Sequence, residues 1–429
     1  MNGHDPVAAL AAIHPRVRAR FPMIDRDSGG RPRTYLNTGA GSLTVDTAAE
    51  AARDAQGRLN PMPGTVCPGE AETAVLHARV RALAADFVDA ADGREISFHQ
   101  SATAAFFGLA FGLRDVLGPD TNLVVTDLDH MANVSPWESV FGEGLGREVR
   151  RARVTAEGTL DTVHLLSLVD ARTALVALTA ASNGTGSIVP LAGIAAEVRR
   201  RAPGALIAVD AVHHAPHGPL DVRRSGVDLL VFSGYKVFGP MLGVLWGRAE
   251  VLERLRPYRV ETNKPVLPGR FEMGMLNNAS LAALEAALEY LLWLADQTGA
   301  APGAAGRPAK FRAVMTAIAA YESGLTRRVL EGFRRLPAGH LACFGIVDPD
   351  RAAERVPTFA FDVAGLSPTR AKERLWAEAA VQIADGNHYS AAVYRHLGRP
   401  EGICRASFAH YDDAATVDRF LEAVARLKT

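Results

Sequence analysis

The chain predicts an α/β fold, with a large domain on a mainly parallel sheet and a smaller C-terminal α+β domain. Three observations carry this. At 429 residues it is about twice the length one compact core supports, so two domains sharing one active-site region are expected. From about Tyr35 to Leu294, short apolar runs rich in β-formers alternate with longer helical patterns, as βαβ units require. After an amphipathic helix at 281–295, residues 299–308 are rich in Gly, Ala and Pro and show no apolar period, which reads as a linker.

Along the chain, strands are expected at 95–98, 122–126, 173–179, 205–209, 229–232 and 244–246, with helices such as 71–88 and 191–201 between several of them. Beyond the linker come a long helix near 311–336, a strand at 358–363, a helix near 368–380 and a last helix from Ala414. The expected organisation is an N-terminal segment 1–34 packing on the small domain, a large domain 35–295, a linker 296–310 and a small domain 311–429.

Composition narrows the function classes. With 48% hydrophobic and 22% charged residues, the chain reads as an ordinary globular protein. Forty-seven basic residues balance forty-seven acidic ones, so no global field steers it onto nucleic acid or an anionic membrane, and a small-molecule ligand is expected. The apolar stretch 7–13 is too short for a signal-peptide core and runs into Arg16, Arg18 and Arg20, and no run is long enough to span a bilayer. The three cysteines, Cys67, Cys343 and Cys404, form no CxxC pair, which suits a reducing compartment. A cytoplasmic location is expected.

The richest stretch lies between residues 205 and 243. Asp210 ends one apolar strand, and Lys236 follows a second through the tight turn Ser233-Gly234-Tyr235. Ligands of open α/β sheets bind at such carboxyl ends. A lysine beside an acid and a hydroxyl suits pyridoxal phosphate: the amine bonds the aldehyde and the carboxylate holds the pyridine nitrogen protonated. Taken alone, Lys236 reads equally well as a surface lysine and Asp210 as a helix cap. His213, His214 and His217 imitate metal-ligand spacing, but no acidic or cysteine partner follows at a zinc distance, so no metal is expected.

SGYK followed by GP, the upstream VDAVH and the tail CRASFAHYDDAATVDRF together resemble class V aminotransferases of the cysteine desulfurase type, over nearly the whole chain. That resemblance implies the type I pyridoxal-phosphate fold and a homodimer whose active sites are each completed by the neighbouring subunit. Lys236 matches the Schiff-base lysine, Asp210 the acid under the pyridine nitrogen, and His213 the residue that reaches the phenolic oxygen; His214 has no assigned role. In DLDHMANVSPW, His130 falls where a histidine stacks on the cofactor ring; without the resemblance it reads as a satisfied histidine at a strand end. In SNGTGSIVP, Asn183 matches a donor to the phenolic oxygen, although Asn-Gly is also a good turn dipeptide.

Phosphate binding is expected at Ser101, Ala102 and Thr103, which follow a strand and open a helix whose free N–H groups favour an anion. Ser and Thr are also plain helix caps. Ser233 and Tyr235 complete the cup by resemblance; relatives often carry His where Tyr235 stands. Arg405 matches the arginine that grips an α-carboxylate through a bidentate fork, implying an α-amino acid substrate. Asn37 and Thr38 lie where the family's N-terminal turn approaches the substrate.

Two departures shape the expected reaction. Where this branch of desulfurases keeps a loop cysteine, the chain reads Ala384-Asp385-Gly386-Asn387-His388-Tyr389. Without a thiolate there, formation of an enzyme persulfide is not expected; Cys343 and Cys404 read as structural, and Cys67 lies in a Pro- and Gly-rich segment. In FEMGMLNN, Met275 stands where relatives place a Thr that donates to the partner's phosphate, and a thioether cannot donate. Either a neighbour such as Asn277 substitutes or that contact is lost. Residues 259–270 suit a mobile loop or a solvated connection. The expected function is a C–S lyase that performs β-elimination on cysteine or an S-substituted cysteine, as in natural-product tailoring. The alternatives are an aminotransferase, or a decarboxylating or epimerising enzyme on another α-amino acid.

Overall fold

The computed structural model describes residues 5–59, 62–301 and 306–427. Its strands in chain order are β1 (Thr34–Tyr35), β2 (Ile96–His99), β3 (Asn122–Thr126), β4 (Val149–Ala152), β5 (Thr173–Thr179), β6 (Leu206–Asp210), β7 (Leu229–Ser233), β8 (Gly243–Gly247), β9 (Leu341–Phe344), β10 (Thr358–Val363), β11 (Val381–Gln382), β12 (Ala384–Gly386) and β13 (Ile403–Ser407). Seven of them form one sheet in the order β2-β8-β7-β6-β5-β3-β4. The β3–β4, β3–β5, β5–β6 and β6–β7 pairs are parallel, whereas β8 runs antiparallel to both β7 and β2. The mainly parallel sheet expected from the alternating pattern is therefore present.

The central strands are apolar without a break because both faces of the sheet are covered. In β6, Ile207 and Val209 join Leu284 and Leu288 of the helix Asn278–Thr298 on one side, while Leu206 and Ala208 join Phe106 and Leu109 of the helix Ala102–Arg114 on the other. β7 divides the same way, Leu230 and Phe232 against Leu229 and Val231. The edge strand β4, VRRA, escaped the sequence reading because it is not apolar: Arg150 pairs with Glu148 and Asp170, and Arg151 with Asp127 and Glu138. Charge on an edge is also a guard against unwanted strand pairing.

The C-terminal part builds a four-stranded antiparallel sheet, β12-β13-β10-β9, over a core that includes Phe359, Phe361, Leu375 and Phe420. The long helix Arg307–Arg335 serves both cores, giving Phe311, Val314 and Ile318 to the large one and Leu325, Val329 and Leu330 to the small one. The domain division at 311 that we propose from sequence thus runs through the base of a shared helix. The flanking helices extend to Thr298 and from Arg307, and residues 302–305 of the expected linker lie outside the described residues. The N-terminal segment touches both parts. β1 pairs in parallel with β11 of the small domain, while Phe21 packs edge-on against Phe238 and Tyr290 of the large one. Among the described residues, no helix is long and apolar enough to cross a membrane.

Candidate active site

The carboxyl ends of the parallel strands converge on one cavity of about 490 Å³. β5 ends at Thr179, β6 at Asp210 and β7 at Ser233, with the helical turn Gly234–Lys236 immediately after. β2 leads through Ser101 into the helix Ala102–Arg114, and His130 follows β3. Because β8 is antiparallel, its first residue, Gly243, lies against Ser101 at this end of the sheet. A Cβ added to Gly243 would lie 2.4 Å from the Ser101 carbonyl carbon and oxygen, so only glycine lets that strand approach the helix start.

Ser101, Ala102, Thr103, His130, Asn183, Asp210, His213, Ser233, Tyr235, Lys236 and Arg405 all line this cavity. Asn37 and Thr38 do not. The Thr38 hydroxyl donates to the Phe408 carbonyl at 3.1 Å, and the turn reaches the cavity through Gly39 and Ala40.

The Lys236 amine is buried and donates to the backbone carbonyl of Gly39. Burial, and then the Arg405 charge, lower its pKa to about 7, with Asp210 pulling the other way. Asp210 accepts from the Val212 N–H at 2.8 Å, and burial raises its carboxyl to about 6 against that bond and Lys236. Arg405 on β13 is buried; Nη1 donates to the Asn183 carbonyl at 2.8 Å, and Nε has no partner among the described residues. Burying an unmatched guanidinium N–H is costly unless a ligand satisfies it.

His130 and His213 are held neutral. His130 drops to about 4 through burial, then through Lys236 and Arg405; its Nδ1 accepts from the Ala132 N–H at 3.0 Å, which leaves the proton on Nε2. His213 Nε2 meets the Thr358 hydroxyl at 2.9 Å while its buried Nδ1 lacks a partner among the described residues, and burial drives its pKa well below the ordinary value. Ser101 Oγ caps its helix by accepting from Ala104 N–H at 3.1 Å.

Asn183, expected to donate to the phenolic oxygen, lines the cavity and also binds a neighbouring loop. Its amide nitrogen donates to the His388 carbonyl at 2.8 Å and its Oδ1 accepts from Ser390 Oγ at 2.7 Å, so the side chain latches the 387–390 loop. That loop brings Asn387, His388 and Tyr389 to the cavity, none of which the sequence reading assigned a role. A conspicuous His-Tyr pair was the only available signal; its latch lies some two hundred residues away. Gly39 had no side-chain signal at all.

Among the described residues, no cysteine lines the cavity. Cys404 lies in the small-domain core with its thiol raised by burial to about 12, burial also raises Cys343, and Cys67 is exposed ahead of the helix Pro68–Val88. Met275 is exposed, and Asn277 Oδ1 caps the helix Asn278–Thr298 by accepting from Ser280 N–H at 3.0 Å. His217 meets Glu322 at 2.9 Å, both deeply buried, and among the described residues no three acidic, histidine or cysteine side chains could hold a metal ion.

The class V aminotransferase family model matches residues 34–420. Curated relatives include cysteine desulfurases of Pectobacterium atrosepticum, 30% identical over 431 residues, and of Klebsiella pneumoniae, 30% over 429 residues; each alignment covers 96% of this chain and 97% of the relative. Among solved structures, the cysteine desulfurase CsdA of Escherichia coli superimposes with a TM-score of 0.80 at 24% identity, covering 96% of this chain and 98% of the other. C-DES, solved as a lysine-to-alanine variant with glycine covalently linked to its pyridoxal phosphate, gives 0.77 at 21%, covering 96% and 99%. The fold is that of the type I pyridoxal-phosphate enzymes.

Proposed function

The chain belongs to the class V aminotransferase family, and from that premise we propose that it is a pyridoxal-phosphate-dependent C–S lyase acting on cysteine or an S-substituted cysteine. The residues present suit the cofactor. A buried amine lowered to about 7 can meet an aldehyde as the neutral base. The open start of the helix Ala102–Arg114, with Ser233 and Tyr235, suits a phosphate, and the unpartnered His213 Nδ1 suits a ring hydroxyl. Bound there, pyridoxal phosphate supplies an electron sink for bonds at an amino acid's α-carbon.

The chain's own groups divide the remaining work. Arg405 takes the α-carboxylate and so sets which α-carbon bond is cleaved. Asp210 would hold a positive charge on the pyridine nitrogen, the flat His130 ring would pack against the cofactor, and Lys236 would carry the α-proton. With a sulfur leaving group on the β-carbon, loss of that proton and of the thiolate, followed by addition of water, gives pyruvate, ammonia and a thiol.

The observation that carries this reading is the cavity lining, which joins Lys236 and Arg405 and includes no thiol to accept sulfur as a persulfide. We further propose a cytoplasmic homodimer. Three free cysteines support the reducing compartment. Exposed Met241, Val260, Val266, Met273 and Met275, on the β7–β8 connection and the 256–277 segment, support a partner surface.

The test is mass spectrometry of products and cofactor after the holoenzyme meets S-substituted cysteines with no keto acid present. Pyruvate and free thiol with the cofactor unchanged are expected. Accumulating pyridoxamine phosphate with the C–S bond intact would make it an aminotransferase; released carbon dioxide would make it a decarboxylase, and inverted amino acid an epimerase.

A further inference from the structure

Tyr389 is 70% exposed yet lines the cavity, which puts it at the mouth. Its ring stacks on His130, with centroids 5.2 Å apart and planes 29° from parallel. The loop that carries it is firmly held. The Tyr389 carbonyl accepts from Met131 N–H at 2.9 Å, its N–H donates to Asn387 Oδ1 at 3.0 Å, and the Asn183 amide grips the residues on either side. His388 and Tyr389 both adopt left-handed backbone, φ 50° and 56°, which residues with a Cβ avoid unless the surroundings impose it. His388 also lines the cavity; its Nδ1 meets the Tyr394 hydroxyl at 2.8 Å, and its buried Nε2 has no partner among the described residues.

Such a loop presents an aromatic ring in a fixed position. The amino-acid end of a substrate belongs at the floor, where Lys236, Asp210 and Arg405 are buried, so the group on sulfur must extend toward the mouth. We propose that Tyr389, backed by His130, is the wall on which that group stacks, and that the site selects cysteine S-conjugates whose substituent is planar and unsaturated. This rests on the C–S lyase reading and names its substrate class. A stacked pair favours a flat π system over a saturated group of equal size, because the ring edge and face are oppositely polarised.

The test compares S-(2-phenylethyl)cysteine with S-(2-cyclohexylethyl)cysteine, in which two methylenes separate the ring from sulfur so that the thiols leave with similar ease. For the wild-type holoenzyme, kcat/KM should favour the phenylethyl compound about five- to tenfold. Tyr389→Phe should keep that ratio, and Tyr389→Ala should bring it close to one. A ratio near one in the wild type, an unchanged ratio in Tyr389→Ala, or a ratio lost as fully in Tyr389→Phe would each overturn the proposal. If neither compound is cleaved, the lyase reading fails by itself. Calorimetric binding of both to the full-length Lys236→Ala protein then makes the same comparison, and equal affinities overturn the wall.

Discussion

The Lys236 amine reaches across the cavity to the backbone carbonyl of Gly39, joining the turn after β7 to a loop almost two hundred residues earlier. One neutral carbonyl does not replace the water that burial removes, and Arg405 adds a like charge, so the amine is held near 7.

That depression predicts a pH-dependent stability of the cofactor-free protein. Below about 7 the amine is protonated in the folded and unfolded states alike, and the folded state carries the full cost of a buried charge. Between about 7 and the ordinary lysine value the unfolded chain binds more protons, so stability rises with pH across that window. Lys236→Met should therefore be more stable than wild type at pH 6.5, with an advantage that shrinks by pH 9; thermal melts check this. A constant difference would mean that the amine is not depressed.

Asp210→Asn separates charge from shape. The amide oxygen can still accept from Val212 N–H, whose bond to the carboxylate is 2.8 Å, so the fold and cofactor uptake should survive. The negative charge under the ring nitrogen is lost, and kcat should fall by about a hundredfold or more, in the range that removal of a preorganised electrostatic partner produces. The expected result is a protein with full cofactor content and normal melting but little turnover. Turnover within a few-fold of wild type would remove Asp210 from the chemistry.

The contrast between legible and illegible parts has a physical basis. β6 and β7 could be read from LIAVD and LLVFS because their side chains are buried on both faces. Asp210 and Lys236 then stand out as polar residues at the ends of apolar runs, and the structure brings both to the cavity. β4 and the two-residue strands β1 and β11 have no such run; β1 and β11 exist through pairing with each other across most of the chain, and β4 through pairing with β3. The same holds for the site. The roles of Gly39 and Tyr389 depend on a backbone carbonyl and on a latch at Asn183, and neither leaves a periodic trace in the chain.

Arg405→Lys keeps the charge and removes the fork. In the structure Nη1 is engaged by the Asn183 carbonyl at 2.8 Å, while Nε has no partner among the described residues. A lysine ammonium cannot serve both that carbonyl and a carboxylate with the same geometry. The expected change is a fall of about 30- to 1,000-fold in kcat/KM for the amino acid, corresponding to roughly 2–4 kcal/mol for a buried charge-assisted pair. Cofactor content should be unchanged. If saturating substrate restored full kcat, Arg405 would serve binding alone; if kcat/KM held, its carboxylate role would be wrong.

Two glycines should respond in opposite directions to the same substitution. Gly243→Ala places a methyl group 2.4 Å from the Ser101 carbonyl, between backbones that cannot both move without shifting the helix start proposed to hold phosphate. A loss of about 1–3 kcal/mol is expected from overpacking, together with weaker cofactor binding, because the displaced element is the one that would hold the anion. Gly57 lies in the helix Asp46–Arg58, is exposed and has open space where a Cβ would go. Gly57→Ala should therefore gain roughly 0.5–1 kcal/mol by reducing the entropy lost on folding, with no effect on cofactor affinity. Denaturant melts and cofactor titrations on both variants check the pair. Stability lost at Gly243 with cofactor affinity intact would show that the Ser101 turn does not hold the phosphate.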